Sequence, residues 1–299
     1  MRTIIIAGGS GFLGQVLNAY FIAKNYNVKI LTRNPKQKND ILWDGKNLGT
    51  WTEALEGSEA LINLTGKSVN CRYTKKNKKL IHDSRIESTH ILGLAINLCK
   101  KPPKVWLNSS TATIYRNSYD KKMCEINGEI GDDFSMNIAK SWESVFKKTV
   151  TAKTRKVILR TSIVLGKNGG ALIPLKNLVR FGFGGKQGSG KQKVSWIHES
   201  DFCEAINFLI RNKDLDGVFN LCVPEPIDNF TLMRTLRKVM KVSFGISHPI
   251  SLLNLGAKII GTETELILKS RYVIPKRLLN NGFVFEYPNI EKALLNLKE

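Results

Sequence analysis

Thr3-Ile4-Ile5-Ile6-Ala7-Gly8-Gly9-Ser10-Gly11-Phe12-Leu13-Gly14 decides the fold of this 299-residue chain. Its unbroken apolar run reads as a strand buried on both faces, as in a parallel sheet. The run breaks into Gly8, Gly11 and Gly14, spaced G-x-x-G-x-x-G, and apolar residues then recur at helical spacing at Val16, Leu17, Tyr20 and Phe21. Strand, glycine turn and helix make the first unit of a dinucleotide-binding fold. Glycines are needed there because a side chain would hold the backbone off a pyrophosphate seated at the helix N-terminus. Phe12 and Leu13, between the last two glycines, belong to the same expected contact.

The second strand, Val28 to Thr32, runs into Arg33, nineteen residues beyond Gly14. An acidic residue near this place would grip the ribose of NAD, whereas an arginine pairs with a 2′-phosphate. With Lys36 and Lys38 nearby, Arg33 points to NADP(H).

Outward from this unit the pattern repeats. Glu59 to Leu64 reads as a third strand, ending at Thr65-Gly66 where a ribose or pyrophosphate would lie. A helix is expected from about Asp83 to Cys99, then a strand from Val105 to Ser109. Asn117 to Asp133 is polar and reads as a surface excursion, followed by a helix from about Phe134 to Lys147 and a fifth strand from Val157 to Arg160. This alternation predicts an α/β fold of Rossmann type, a doubly wound parallel sheet covered on both faces. Beyond it, Gly166 to Gly190 is glycine-rich around one helix, Val194 to Ile197 returns as a strand, and Gly217 to Leu221 is a last strand. From Pro224 the chain reads as short helices with a strand-like Phe283-Val284-Phe285. The expected division is a nucleotide-binding domain, 1–165 joined by 194–223, and a smaller, mainly helical lobe, 166–193 and 224–299. Open α/β sheets bind ligands at the carboxyl ends of their strands, where that lobe would pack.

A hydrophobic content of 42% and nine prolines describe an ordinary globule. No apolar run reaches membrane-spanning length, and the first residues enter a core strand directly, so neither membrane insertion nor a signal peptide is expected and cytoplasmic residence is. Cys71, Cys99, Cys124, Cys203 and Cys222 are scattered and lack metal or disulfide spacing, and the four histidines give no metal signal. The net charge of +21 is the one unusual bulk property. Its lysines are spread along the chain without interleaved aromatics, which argues for solvated faces and against specific nucleic-acid binding.

The chain resembles an atypical branch of the extended short-chain dehydrogenase/reductases, the epimerase family proteins with their own C-terminal domain. The glycine spacing is the short-chain form. Matching stretches include Ile62 to Gly66, Ser84-Arg85-Ile86-Glu87-Ser88-Thr89, Trp142-Glu143, Leu159 to Gly166, Ser195-Trp196-Ile197-His198 and Val273 to Leu279. They run in order over nearly the whole chain. The resemblance implies NADP(H) at the strand ends, with Thr32 and Arg33 at the adenosine phosphate and Leu64, Thr65 and Gly66 near the ribose or pyrophosphate. It makes Arg85 a cofactor contact and puts Ile163 near the nicotinamide.

Extended relatives hold the substrate oxygen with a serine or threonine after the fourth strand and use the phenol of a Tyr-x-x-x-Lys helix as general acid or base. Ser110 and Thr111 match the first element. The phenol is missing: four residues before Lys140 stands Met136, and the register shifted by one pairs Ser135 with Ala139. Tyr115 could replace it only if its hydroxyl faces the pocket. The candidate catalytic set is therefore Thr111, Ser110, Tyr115 and Lys140. Three readings stay open: an NADP(H)-dependent oxidoreductase or epimerase-like enzyme acting on an unidentified small molecule, a cofactor-binding sensor or scaffold without turnover, and a nucleic-acid-associated protein favoured only by charge. The oligomeric state, a homodimer included, is left open.

Overall fold

The computed structural model describes residues 1–260 and 263–298; positions 261, 262 and 299, which fall within the stretch assigned to the smaller lobe, lie outside the described residues. The chain runs β1 (Thr3–Ala7), α1 (Phe12–Ala23), β2 (Asn27–Thr32), β3 (Asp40–Leu42), β4 (Ala60–Asn63), α2 (Lys75–Leu98), β5 (Val105–Thr111), α3 (Phe134–Lys148) and β6 (Arg155–Thr161). It continues through β7 (Ile163–Leu165), α4 (Leu172–Arg180), β8 (Lys193–Val194), β9 (Trp196–His198), α5 (Glu199–Arg211) and β10 (Gly217–Leu221). Last come β11 (Ile227–Asp228), α6 (Asn229–Met240), α7 (Ile250–Ile260), α8 (Glu265–Leu268), α9 (Lys276–Asn280) and α10 (Ile290–Asn296).

Seven strands form one sheet in the order β10-β6-β5-β4-β1-β2-β3. All its pairings are parallel. The apolar run of β1 explains its central place. Ile4 and Ile6 face one side, packed with Leu17 and Phe21 of α1 and Phe202 and Ile206 of α5. Ile5 and Ala7 face the other, with Ile91, Leu92 and Phe146 of α2 and α3. Strand order reverses beside β1, so the β1–β4 crevice opens at the carboxyl edge, where ligands bind in such sheets.

Four readings of the sequence need correction. Helix α2 begins at Lys75, two turns before the expected Asp83, because Thr74 caps it, accepting from the Asn77 N–H at 3.2 Å. Lys75, Lys76, Lys78 and Lys79 are the solvent face of its first turns. The strand expected over Val194 to Ile197 is two short strands, β8 paired with β11 and β9 with β7. Ser195 divides them by donating to the Arg271 carbonyl at 2.7 Å and accepting from the Val273 N–H at 2.9 Å. The segment 117–133 is pinned rather than free on the surface: Met123 is fully buried and brackets the Val273 backbone, its N–H bonding Tyr272 and its carbonyl taking the Ile274 N–H. Finally, Phe283 to Phe285 alternates in and out as a strand would, but pairs with no strand among the described residues. Phe283 and Phe285 instead pack into the same core as Ile4, with Phe283 edge-on to Phe208 at 5.4 Å.

A separate cluster, with Leu172 and Val179 of α4, Leu232 and Leu236 of α6 and Leu294 of α10, forms the core of the helical side. No helix among the described residues is long and apolar enough to cross a membrane.

Candidate functional site

A cavity of about 470 Å³ opens at the carboxyl edge of β1, β4, β5 and β6. The glycine turn forms its floor through Gly8, Gly11, Phe12, Leu13 and Gly14. Each glycine answers a different demand. Gly8 has φ +74°, the left-handed region, and a Cβ on it would lie 2.9 Å from Thr65 Cα. A Cβ on Gly14 would lie 2.3 Å from Gly9 Cα, so helix and turn close only without it. At Gly11 a Cβ would meet no protein atom within 4 Å. The bare backbone at Gly11, the N-cap of α1, faces space that the protein leaves open.

Leu64 also lines the cavity, while Thr65 and Gly66, which follow it in the chain, are not part of its wall. Thr65 is fixed by Asn63, whose Oδ1 accepts its N–H at 3.0 Å. Asn63 in turn donates to Asn108 Oδ1 at 2.7 Å, tying the ends of β4 and β5 together. Gly66 makes room for Arg85: a Cβ there would stand 2.9 Å from the guanidinium carbon. Arg85 lines the cavity from α2, donates to the Lys67 and Ile81 carbonyls at 3.0 and 2.9 Å, and lies over the Trp142 ring at 5.0 Å. No carboxylate among the described residues pairs with it. Burial lowers its pKa to about 10, so at neutral pH it is a cation held against a cavity without a counter-charge.

Thr32 is buried at the end of β2, and Arg33 is exposed beyond it. Neither belongs to the cavity wall. Arg33 has no hydrogen-bond or ion-pair partner among the described residues. Ile163 begins β7 two residues after Thr161, which does line the cavity, but is itself outside the wall.

Ser110 and Thr111, at the end of β5, both line the cavity. The other two catalytic candidates do not. Tyr115 is fully buried, its hydroxyl accepting from Arg160 at 2.8 Å and donating to Asn220 Oδ1 at 3.0 Å. The condition for its use as the missing phenol is not met, and burial, opposed by Arg160, pushes its pKa up to about 12. Lys140 is half-exposed and pairs with Asp132 at 3.0 Å on the outer face of α3. The face of α3 toward the cavity carries Ser135, Ile138, Ala139 and Trp142. The face is therefore set by the shifted register, with Ser135 and Ala139 one turn apart.

Tyr73 and Phe134 also line the cavity, their rings edge-on at 4.8 Å. The sequence reading missed Tyr73. A lone aromatic in a lysine-rich stretch was the available signal. Its backbone N–H donates to Glu263 at 2.8 Å, so the C-terminal segment reaches the cavity's margin.

A doubly wound parallel sheet with its glycine turn and cavity at the strand-order reversal defines a nucleotide-binding domain of the short-chain dehydrogenase/reductase type. The chain belongs to the NAD dependent epimerase/dehydratase family, whose model matches residues 4–222, and residues 250–297 match a domain of unknown function, DUF1731. It is 32% identical over 300 residues to epimerase family protein YfhF of Bacillus subtilis (strain 168), spanning 98% of this chain and 97% of that one. Among solved structures it is similar to human epimerase family protein SDR39U1 (isoform 2) with NADPH, at a TM-score of 0.89 and 26% identity over 99% of both chains. It is also similar to a nucleoside-diphosphate sugar epimerase from Corynebacterium glutamicum, at a TM-score of 0.79 and 26% identity, over 98% of this chain and 57% of the other.

Proposed function

We propose that this chain binds NADP(H) and acts as an oxidoreductase or epimerase-like enzyme on a small molecule held in the cavity. The observation that carries the reading is Gly11: glycine stands where no protein atom requires it, at a helix N-terminus facing open space. That is the fit expected of a backbone cradle for a pyrophosphate. The solved relative that contains NADPH supports the same choice. When bound, the nicotinamide nucleotide supplies hydride donation or acceptance. The chain's own residues do the rest: Gly8, Gly11 and Gly14 admit the diphosphate, Arg33 pairs with the 2′-phosphate, and Arg85 offers its cation to an anionic group in the cavity. Thr111 orients a reacting oxygen. The absence of a phenol at Ser135 favours one second reading, a nucleotide-binding sensor without turnover.

Calorimetric titration with NADPH and NADH tests the assignment. Charge-assisted hydrogen bonds contribute roughly 1.5–3 kcal/mol, so NADPH should bind about ten- to a hundredfold more tightly. Arg33→Asp should narrow or reverse the preference without changing stability. Equal affinities of the native protein for both nucleotides would remove Arg33 from the site. Tight nucleotide binding with neither NADPH oxidation by a panel of carbonyl compounds nor NADP+ reduction by the corresponding alcohols would move the reading to the sensor.

A further inference from the structure

The polar side chains behind the β5 wall form one buried run in which each hydrogen has a fixed direction. An arginine donates and never accepts. Arg160 gives two hydrogen bonds to the Glu143 carboxylate, at 2.8 and 2.9 Å, and a third to the Tyr115 hydroxyl at 2.8 Å. Tyr115 passes its own hydrogen to Asn220, whose amide donates to the Ile274 carbonyl at 3.0 Å. On the other side, Ser110 Oγ lies 2.8 Å from Glu143 Oε1. Burial by itself would push the Glu143 carboxyl up, but Arg160, Ser110 and Lys147 outweigh it and hold the group below the usual carboxylate range. Glu143 is thus ionised and only accepts, so Ser110 is the donor of their bond. A hydroxyl has one hydrogen. Toward the cavity Ser110 has lone pairs alone to offer.

Ser135 repeats the arrangement on the α3 wall. Its hydroxyl donates at 2.9 Å to Asp133, a carboxylate that also accepts the Met136 N–H and pairs with Lys269. Thr111 is the converse: its oxygen accepts the Thr113 N–H at 3.1 Å and its hydrogen remains for the cavity.

We propose that the cavity selects a ligand bearing hydroxyl groups, which donate to Ser110 and Ser135 while Thr111 donates in return, and that Glu143 is the positioning residue that makes Ser110 an acceptor. This rests on reading the cavity as the reactant site. An alcohol seats its O–H on Ser110. A carbonyl oxygen in the same place sets lone pair against lone pair and leaves a buried acceptor unpaired. The alcohol form of the reactant is the one this wall is built to hold.

Neutron diffraction from deuterium-exchanged crystals reads the hydrogen directly. Deuterium on Ser110 directed at Glu143, with none on Glu143, is the expected result; deuterium on Glu143, or a Ser110 deuterium aimed into the cavity, overturns the proposal. Cyclohexanol and cyclohexanone, titrated separately at matched concentration and followed by NMR, test the selection. Cyclohexanol should bind about tenfold more tightly, and Ser110→Ala should erase the difference. Equal binding by the native protein, tighter binding of the ketone, or no binding of the alcohol overturns it. Failure of the nucleotide reading shows separately, as absent NADPH binding in calorimetry, and leaves the neutron result standing.

Discussion

At Gly8 and Gly14 neighbouring backbone comes so close that side chains are excluded, whereas behind β5 polar side chains fill the interior and satisfy one another. Both regions border one cavity. The first works by removing atoms, so Gly8 and Gly14 each tolerate one residue type for a local steric reason. The second works by mutual compensation, since Glu143, Arg160, Tyr115 and Asn220 are each acceptable in the interior only because the others are present. Loss in the cradle should therefore fall mainly on ligand binding and local packing, and loss in the buried run on global stability.

The largest expected effect breaks the buried run. Glu143→Ala leaves Arg160, 7% exposed, without its carboxylate, and removing one partner of a buried pair costs about 3–5 kcal/mol. Denaturant unfolding measures it; a loss under ~1 kcal/mol would mean that water already compensates the guanidinium. Because Glu143's pKa is held low in the folded state, its stabilising contribution persists above the unfolded carboxyl's pKa and is lost only as pH falls through the folded one.

Acid sensitivity at milder pH should come from elsewhere, and this sharpens the comparison. His198 is 1% exposed, its Nδ1 accepting the Ser200 N–H at 3.0 Å to cap α5 and its ring stacked on Tyr287 at 4.0 Å. Burial, partly opposed by Asn296, lowers its pKa from 6.5 to about 4. The unfolded chain takes up the proton first, so stability should be full above pH 6.5 and fall progressively toward pH 4, by on the order of 3 kcal/mol. His198→Asn keeps a capping acceptor and should flatten that slope. An unchanged slope in the variant would assign the titration to another group.

A smaller effect separates two glycines of the cradle. Gly14→Ala drives a methyl into the Gly9 backbone and should cost about 1–3 kcal/mol of stability. Gly11→Ala meets no protein atom and should leave stability within ~1 kcal/mol while weakening NADPH. Gly11→Ala with native NADPH affinity would show that the diphosphate does not lie against that residue. Smallest of all is Lys140→Ala, which removes an exposed pair with Asp132 and should change stability by about 0–1 kcal/mol and nucleotide affinity not at all. A large loss of turnover in that variant would restore Lys140 to the chemistry.

The sequence by itself determined the central strand, the glycine turn, the alternation of strands and helices, and the candidacy of Arg33. These depend on continuous apolar runs, on helical spacing and on backbone sterics that neighbouring residues specify. It also led to Ser110 and Thr111, through the resemblance of this strand end to that of the extended relatives. Tertiary structure alone decided which face of α3 meets the cavity, since a one-residue shift turns a helix by about 100° and exchanges Lys140 for Ala139. It decided that Tyr115 is spent on Arg160 and Asn220, partners 45 and 105 residues away. It brought Tyr73 to the cavity wall and Phe283 into the same core as Ile4. Hydrogen-bond direction and burial are properties of groups that meet only after folding, and no local pattern in the chain encodes them.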